Sequence, residues 1–287
     1  MVRFLVIIAL FVSWTARAEI PVKIYAQELV DRVVAANPAL LVVVMHVTPP
    51  KSAQNVIIAS NIGRIGKPGD DDDMRVIDTG TPNREVSHGG NRFEVELVLR
   101  DAAGETIGAL GLVWPYASGQ DKAQFEARAE TIRDGLARRI LNVANLVDPY
   151  PFERRATTKS GAQKLVDSMQ AKHRDLLVLA IRAPESKGGG LVLLGSTFGR
   201  HGKQADADDM KVFAAAEPAT GIYSNGKRFG VDMSLRDARG NKVGTMNVGY
   251  AFRDGDDRSA LLSKALELRA EIEKRVPNVE SLSELDP

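Results

Sequence analysis

The sequence predicts an α+β fold of two tandem domains, each with a central antiparallel sheet flanked by helices. The first observation is an internal repeat: Gly63-Arg64-Ile65-Gly66-Lys67 recurs as Gly199-Arg200-His201-Gly202-Lys203, 136 positions later. The second is that matches at this spacing run through both halves, as in Arg92-Phe93 and Arg228-Phe229. A constant offset over roughly a hundred residues indicates a tandem duplication. Residues 136 apart are called equivalent below.

Each copy predicts the same order of elements, beginning with a helix and two strands. Residues 24–36 have apolar side chains at helical spacing, and Asn37-Pro38 ends that pattern. Residues 40–47 and 56–60 are short runs of β-branched and aliphatic residues, which are typical of buried strands. Residues 74–79 are predicted to form a short helix closed by Gly80.

The rest of each copy predicts a hairpin and a long helix. Residues 92–100 alternate in hydrophobicity, and residues 106–114 form the returning strand. The turn at 101–104 places Gly104 in a left-handed conformation. Residues 123–143 are predicted to form an amphipathic helix. The inward-facing positions of the first hairpin strand are Phe93, Val95, Leu97 and Leu99.

The first residues have the pattern of a secretory signal. Arg3 precedes an apolar run at 4–12, and Ala16-Arg17-Ala18 has the small-x-small pattern of a signal-peptidase site, so we expect cleavage before Glu19. The alternative, a membrane anchor, is less favoured because the run is short for a bilayer span. The predicted organisation is a signal peptide at 1–18, a first domain at 19–147, a linker at 148–159 and a second domain at 160–287.

The composition limits the cellular compartments and the classes of binding partner that are expected. The net charge is +1, and no basic stripe is interleaved with aromatic residues, so nucleic acid is not an expected partner. The chain has no cysteine, which excludes disulfides, thiolate metal sites and a lipidated cysteine. No later segment is apolar enough to cross a membrane. We therefore expect a periplasmic or secreted protein with no stable membrane insertion once the signal is cleaved.

With its hairpin motif, the order of elements resembles the PAS-like extracytoplasmic sensors called Cache domains. The motif spans Asp101, Gly104 and Gly108, and recurs at Asp237, Gly240 and Gly244. The resemblance covers nearly all of each half and implies a small-molecule ligand. Cache receptors normally continue into a transmembrane helix and a signalling domain, neither of which is visible here. The resemblance therefore implies a membrane receptor or transporter as partner in sensing or uptake.

The repeated loop suggests a site for an anionic ligand. A glycine-rich turn carrying two cations can hold an anion, and in a PAS-like fold it would cover the face of the sheet that binds small molecules. The competing interpretation, slightly preferred from the sequence alone, is that the loop cations pair with the nearby aspartates; for Arg92 and Arg228 it is a surface ion pair, which contributes little. An anion site is the most specific hypothesis for a pocket. The candidate ligand-binding residues are Arg64, Lys67, Arg92, Arg200, Lys203 and Arg228.

A cluster of aspartates follows the loop in each copy, and it has two interpretations. The favoured interpretation is a helix N-terminus, where carboxylates accept from free N–H groups. The alternative is a divalent-cation site, although the spacing does not match a calcium-binding loop. The clusters are Asp70, Asp72 and Asp73, and Asp206, Asp208 and Asp209.

The sequence gives little support for catalysis. It contains neither a Gly-x-Ser-x-Gly elbow nor a His-Glu-x-x-His motif, and the four histidines lie at non-equivalent positions. We expect His46, which lies in a strand, to be a satisfied core or sheet-surface histidine rather than a metal ligand. The sequence therefore predicts a binding protein that is not an enzyme and needs no cofactor, with a structural adaptor as the alternative.

Overall fold

A computed structural model describes residues 23–186 and 188–285. The predicted signal peptide at 1–18 lies outside these residues. Within the described ranges, no helix combines the length and the apolar character that a membrane span requires.

The two halves of the chain contain the same series of helices and strands. The first half comprises α1 (Tyr25–Ala36), β1 (Val42–Val47), β2 (Val56–Ser60), α2 (Asp71–Thr79), β3 (Asn83–Ser87), β4 (Arg92–Arg100), β5 (Thr106–Pro115), α3 (Lys122–Ala137) and α4 (Val143–Leu146). The second half comprises α5 (Gly161–Lys172), β6 (Leu176–Pro184), β7 (Leu191–Ser196), α6 (Ala207–Ala214), β8 (Ala219–Tyr223), β9 (Arg228–Arg236), β10 (Lys242–Ala251), α7 (Arg258–Glu273) and α8 (Glu280–Ser283).

Each half builds one five-stranded antiparallel sheet. The strand orders are β2-β1-β5-β4-β3 and β7-β6-β10-β9-β8, which correspond position by position. The register corresponds as well: Phe93 pairs with Trp114, and the equivalent Phe229 pairs with Tyr250. The predicted fold class, α+β with two tandem PAS/Cache-like domains, is therefore confirmed.

Each sheet has helices on both faces. In the first half, α1 and α3 pack on the inner face, where Phe93, Val95, Leu97 and Leu99 are buried as predicted. The short helix α2 packs on the outer face through Val76. Because α2 is only nine residues long, part of the outer face is left to the loop that precedes it.

The predicted hairpin turn forms in both halves. The Asp101 side chain accepts from the N–H groups of Ala103 and Glu105, and Gly104 has φ +83°. At Gly108, an added Cβ would lie 1.9 Å from the carbonyl oxygen of His46, so β5 approaches β1 too closely for any other residue.

Two predicted element bounds are wrong, and one strand was missed. The helix predicted at 123–143 ends at Ala137, because the chain then turns to bury Ile140 and to pair its carbonyl with the hairpin turn. Helix α2 begins at Asp71 rather than at residue 74, since Asp70 is its N-cap. Strand β3 was not predicted, because this exposed edge strand lacks the apolar alternation of its neighbours.

Candidate ligand pocket

The outer face of the first sheet carries a cavity of about 290 Å³. Its base is formed by β1, β4 and β5, and its sides by the loop at 62–67, the start of α2 and the end of β3. The volume lies at the lower end of the range of roughly 300–1,000 Å³ found for small-molecule pockets. Its ionisable lining residues are His46, Arg64, Lys67, Asp70, Asp73, His88, Arg92, Glu94 and Glu96.

The loop places its cations at the mouth of the cavity. Gly63 and Gly66 have φ values of +77° and +85°, and Arg64 between them has φ +66°, which is uncommon for a residue other than glycine. The N–H of Gly66 donates to the Ile57 carbonyl, which fixes the loop to β2. The side chains of Arg64 and Lys67 are therefore held beside the cavity although both residues are exposed.

The aspartates of the first cluster mainly cap α2. Asp70 accepts from the N–H of Asp73 at 3.3 Å, and the Asp73 side chain accepts from the N–H of Asp70 at 2.8 Å, forming a capping box. Asp206 and Asp209 form the same box in the second half. Among the described residues, no group of three or more histidine, aspartate or glutamate side chains is arranged to hold a metal ion.

Buried acids form the floor of the cavity. Glu96 and Asp73 are 4% and 8% exposed, and their side chains are hydrogen-bonded to each other. Burial raises the pKa of Glu96 to about 9, and Asp73 adds to the rise. Burial opposes ionisation of Asp73, but hydrogen bonds from Glu96 and the N–H of Asp70 outweigh it and lower its pKa. At neutral pH the pair therefore keeps one proton, carried by Glu96.

Two buried polar atoms of the floor have no hydrogen-bond partner among the described residues. They are Glu96 Oε1 and His46 Nδ1. His46 Nε2 lies 3.4 Å from Asp73 Oδ1, and burial lowers the pKa of the imidazole even though Asp73 opposes this. An unpaired buried polar group costs free energy, so both atoms favour a bound molecule that reaches the floor.

The predicted site residues of the first copy meet at this cavity. Arg64, Lys67 and Arg92 all line it, and none of them forms an ion pair with another described residue. Arg92 Nη1 lies 3.5 Å from His88 Nε2. Among the described residues, Arg64 pairs with no aspartate of its own loop, so that interpretation is wrong for Arg64.

The predicted site residues of the second copy are directed elsewhere. Arg200 Nε lies 2.6 Å from Asp148 Oδ2, so it bonds to the end of the first half. Arg228 packs over the ring of Tyr223 at 5.5 Å, and burial lowers its pKa. Lys203 lies beside the helix cap, where its charge lowers the pKa of Asp206 less than the backbone hydrogen bonds do.

Larger side chains fill the equivalent face of the second sheet. Arg182 replaces His46, and its Nε lies 3.0 Å from Asp209 Oδ2. Gly230 replaces Glu94, and the ring of Tyr223 lies where a Cβ of that glycine would be. Phe198 and the first half's Leu141 pack into the apolar cluster on this face. The duplicated surface is thus open with unpaired groups in the first half and covered in the second.

Sequence reasoning missed the floor of the site. Glu94 and Glu96 alternate with Phe93 and Val95 in β4, so they point to the face opposite the core. That alternation was visible in the sequence and could have identified them. His46 was expected to be a satisfied core or sheet-surface histidine, and only the pairing of β1 with β5 shows that it reaches the cavity.

No protein-family model and no curated protein sequence matches the chain. Several solved structures are similar at low levels. The inducer-binding domain of the Acinetobacter transcription factor PobR, complexed with 3-hydroxybenzoic acid, has 8% identity and TM-score 0.29, covering 41% of this chain and 96% of that one. The Escherichia coli DhaR(N)–DhaL complex has 10% identity and TM-score 0.27, covering 80% and 85%.

A third similar structure is an extracellular ligand-binding receptor from Desulfohalobium retbaense, with 10% identity and TM-score 0.24. The match covers 79% of this chain and 33% of the receptor, so this chain spans a third of the receptor's length. TM-scores this low do not establish a shared fold. The fold assignment therefore depends on the strand topology and register described above.

Proposed function

We propose that this chain is an exported, non-enzymatic binding protein whose first half holds a small organic anion. The observation that supports this most strongly is the cavity at the first loop, where Arg64, Lys67 and Arg92 face buried acids without ion-pair partners. Charge-assisted hydrogen bonds from arginine are the usual means of holding carboxylates and phosphates. The cations at the mouth would bind the anionic end of the ligand.

The floor of the cavity adds a second requirement. Glu96 Oε1 is a buried acceptor without a partner, and Asp73 beside it is ionised. These groups accept hydrogen bonds, so the ligand should carry a hydroxyl or amino donor at the end away from its anionic group. The proposed ligand class is a small organic acid with such a donor. The second half, with its equivalent face covered, would serve as scaffold, and a membrane receptor or transporter would receive the ligand-bound protein.

A thermal-shift screen tests this proposal, because a ligand that binds only the folded state raises Tm. The panel should pair each organic acid with its analogue lacking the hydroxyl or amino group, and the proposal expects the substituted member to give the larger shift. No shift with any acid, or equal shifts within every pair, would contradict it. Conversion of the bound acid, followed by NMR, would contradict the expectation of binding without turnover.

Arg92→Ala and Arg228→Ala form a matched pair for this test. A charge-assisted hydrogen bond contributes about 1.5–3 kcal/mol, so Arg92→Ala should weaken binding roughly ten- to a hundred-fold. Arg228→Ala removes the equivalent residue of the second half and should leave the affinity unchanged. Equal losses in both variants would show that the site is not confined to the first half.

A further inference from the structure

The second copy of the repeated loop joins the two halves of the chain. Arg200 forms its ion pair with Asp148 at 2.6 Å, and Asn145 Nδ2 donates to the carbonyl of Phe198 at 2.8 Å. Beside the loop, Arg139 Nη1 lies 2.8 Å from Asp167 Oδ1. The surface formed by α4 and the residues on either side of it therefore receives the loop that precedes α6. We call this contact the internal joint.

The first copy of the loop has no such cover among the described residues. Ile62 and Ile65 are 42% and 58% exposed, whereas the equivalent Phe198 and His201 are 8% and 3% exposed. The glycines show the same contrast, since a Cβ on Gly199 would meet the ring of Tyr25 at 2.9 Å while Gly63 has nothing within 4 Å. The first loop is thus an uncovered version of a docking loop.

The segment after α8 is the uncovered version of the receiving surface. Ser160 bridges Leu285 just as the equivalent Ile24 bridges Pro149. The N–H of Gly161 donates to the Glu284 carbonyl, repeating the bond between Tyr25 and Asp148. Glu284 therefore stands where Asp148 stands in the internal joint, and Leu285 beside it is 70% exposed.

The charged residues of the two ion pairs named above recur, with the same sign, at the equivalent positions of the two uncovered surfaces. Arg64 and Glu284 are the equivalents of Arg200 and Asp148. Asp31 and Arg275 are the equivalents of Asp167 and Arg139. These two ion pairs could therefore form between two molecules, with Arg275 competing with Lys23 for Asp31. A third ion pair between the halves, Lys227 with Glu105, could not be repeated, because its equivalents are Asn91 and Asn241.

Two side chains of the receiving surface differ. Asn145, which donates to Phe198, is replaced by Ser281, and Tyr25, which packs on Gly199, is replaced by Gly161. The exposed Leu285 supplies apolar surface next to Gly161.

We propose that the partner of the first loop is a second copy of this chain, docked head to tail. The segment after α8 of one molecule covers the loop at 62–67 of the next, and Glu284 and Arg275 pair with Arg64 and Asp31. In the assembled protein Lys67 and Arg92 are then the lining cations left to bind an anion. The contact is heterologous, so each added molecule leaves one free loop and one free receiving surface. Assembly consequently continues with concentration and does not stop at a dimer.

Sedimentation velocity of the mature protein, without added ligand, tests this inference independently of the binding proposal. The average mass should rise with concentration beyond that of a dimer. Ile65→Asp and Leu285→Asp should each remain monomeric, because each variant lacks one of the two surfaces. Met210→Asp, a change at an exposed apolar residue of α6, should assemble like the unmodified protein.

A mixture of the two monomeric variants gives the sharpest result. The Leu285→Asp protein retains an intact loop and the Ile65→Asp protein an intact receiving surface, so the mixture should form dimers and nothing larger. A monomeric unmodified protein at millimolar concentration would overturn the inference. So would a mixture that stays monomeric, or a single variant that assembles normally. A discrete dimer that concentration does not enlarge would indicate a symmetric contact instead.

Discussion

His201 should make the stability of the protein sensitive to acid. The ring is 3% exposed, and its Nε2–H donates to Gln163 Oε1 at 2.8 Å. That amide oxygen also accepts from the N–H of Ser196, which identifies Nε2 as the donor and leaves Nδ1 without a partner among the described residues. Burial lowers the pKa of His201 to about 4, from 6.5 in the unfolded chain. Protonation would place a charge on a buried atom with no acceptor.

The sign of the effect follows from proton linkage. Between pH 4 and 6.5 the unfolded chain binds a proton at His201 that the folded protein does not, so the free energy of unfolding falls as the pH is lowered through this range. One pKa unit corresponds to about 1.4 kcal/mol. The loss from this group should therefore be about 1 kcal/mol at pH 5.5 and roughly 2–3 kcal/mol at pH 4.5, relative to pH 7.5.

His201→Gln isolates this contribution, because glutamine keeps an N–H donor for Gln163 and cannot titrate in this range. Urea unfolding followed by circular dichroism should be measured for both proteins at pH 7.5, 5.5 and 4.5. The difference between them at pH 7.5 is the reference for the substitution itself. At pH 5.5 and 4.5, the free energy of unfolding of the variant should rise relative to that of the unmodified protein by the losses given above. A difference that stays constant from pH 7.5 to 4.5 would show that His201 does not have a lowered pKa in the folded protein.

Three further predictions concern the site and the two halves. Glu96 keeps a proton in the folded protein that the unfolded chain loses above about pH 4.5, so the stabilisation from this proton is lost as the pH rises towards 9. In urea titrations, Glu96→Gln should therefore lose less stability than the unmodified protein between pH 5 and 8.5. Parallel stability curves for the two proteins would contradict this. Asp70→Ala and Asp206→Ala should each cost about 1 kcal/mol through loss of the cap. Their melting should not depend on Ca²⁺ or Mg²⁺, and a metal-dependent Tm that either variant loses would favour a cation site. Residues 19–150 expressed alone should unfold cooperatively in a calorimeter, and a disordered product would mean that the halves share a core.

Most of the fold could be predicted because short, local sequence patterns indicate its elements. The alternation in residues 92–100, the Asp101 to Gly104 turn and the constant offset between the copies each correspond to an observed element. Strand β3 could not be predicted in this way, since an edge strand exposed on both faces needs no apolar pattern. The end of α3 could not be predicted either, because the sequence of residues 138–142 is compatible with a helix and only the burial of Ile140 in the core shows that the helix has ended.

The candidate site was only partly predictable, for a different reason. Its cations lie in one short loop and at the start of β4, so a local motif reveals them. Its floor combines His46 from β1, Asp73 from α2 and Glu96 from β4, and only sheet pairing brings these together. The contrast between the halves also depends on tertiary contacts, because the sequence alone does not show that Arg200 bonds to Asp148.

Isothermal titration calorimetry with the acid that gives the largest thermal shift tests the central claim most directly. One molecule should bind per chain, in the first half. His46→Arg, which installs the residue that accompanies Asp209 in the covered second half, should abolish that binding while leaving the fold intact by circular dichroism. Two molecules bound per chain, or unchanged binding by His46→Arg, would contradict the claim that the open face of the first sheet is the ligand site.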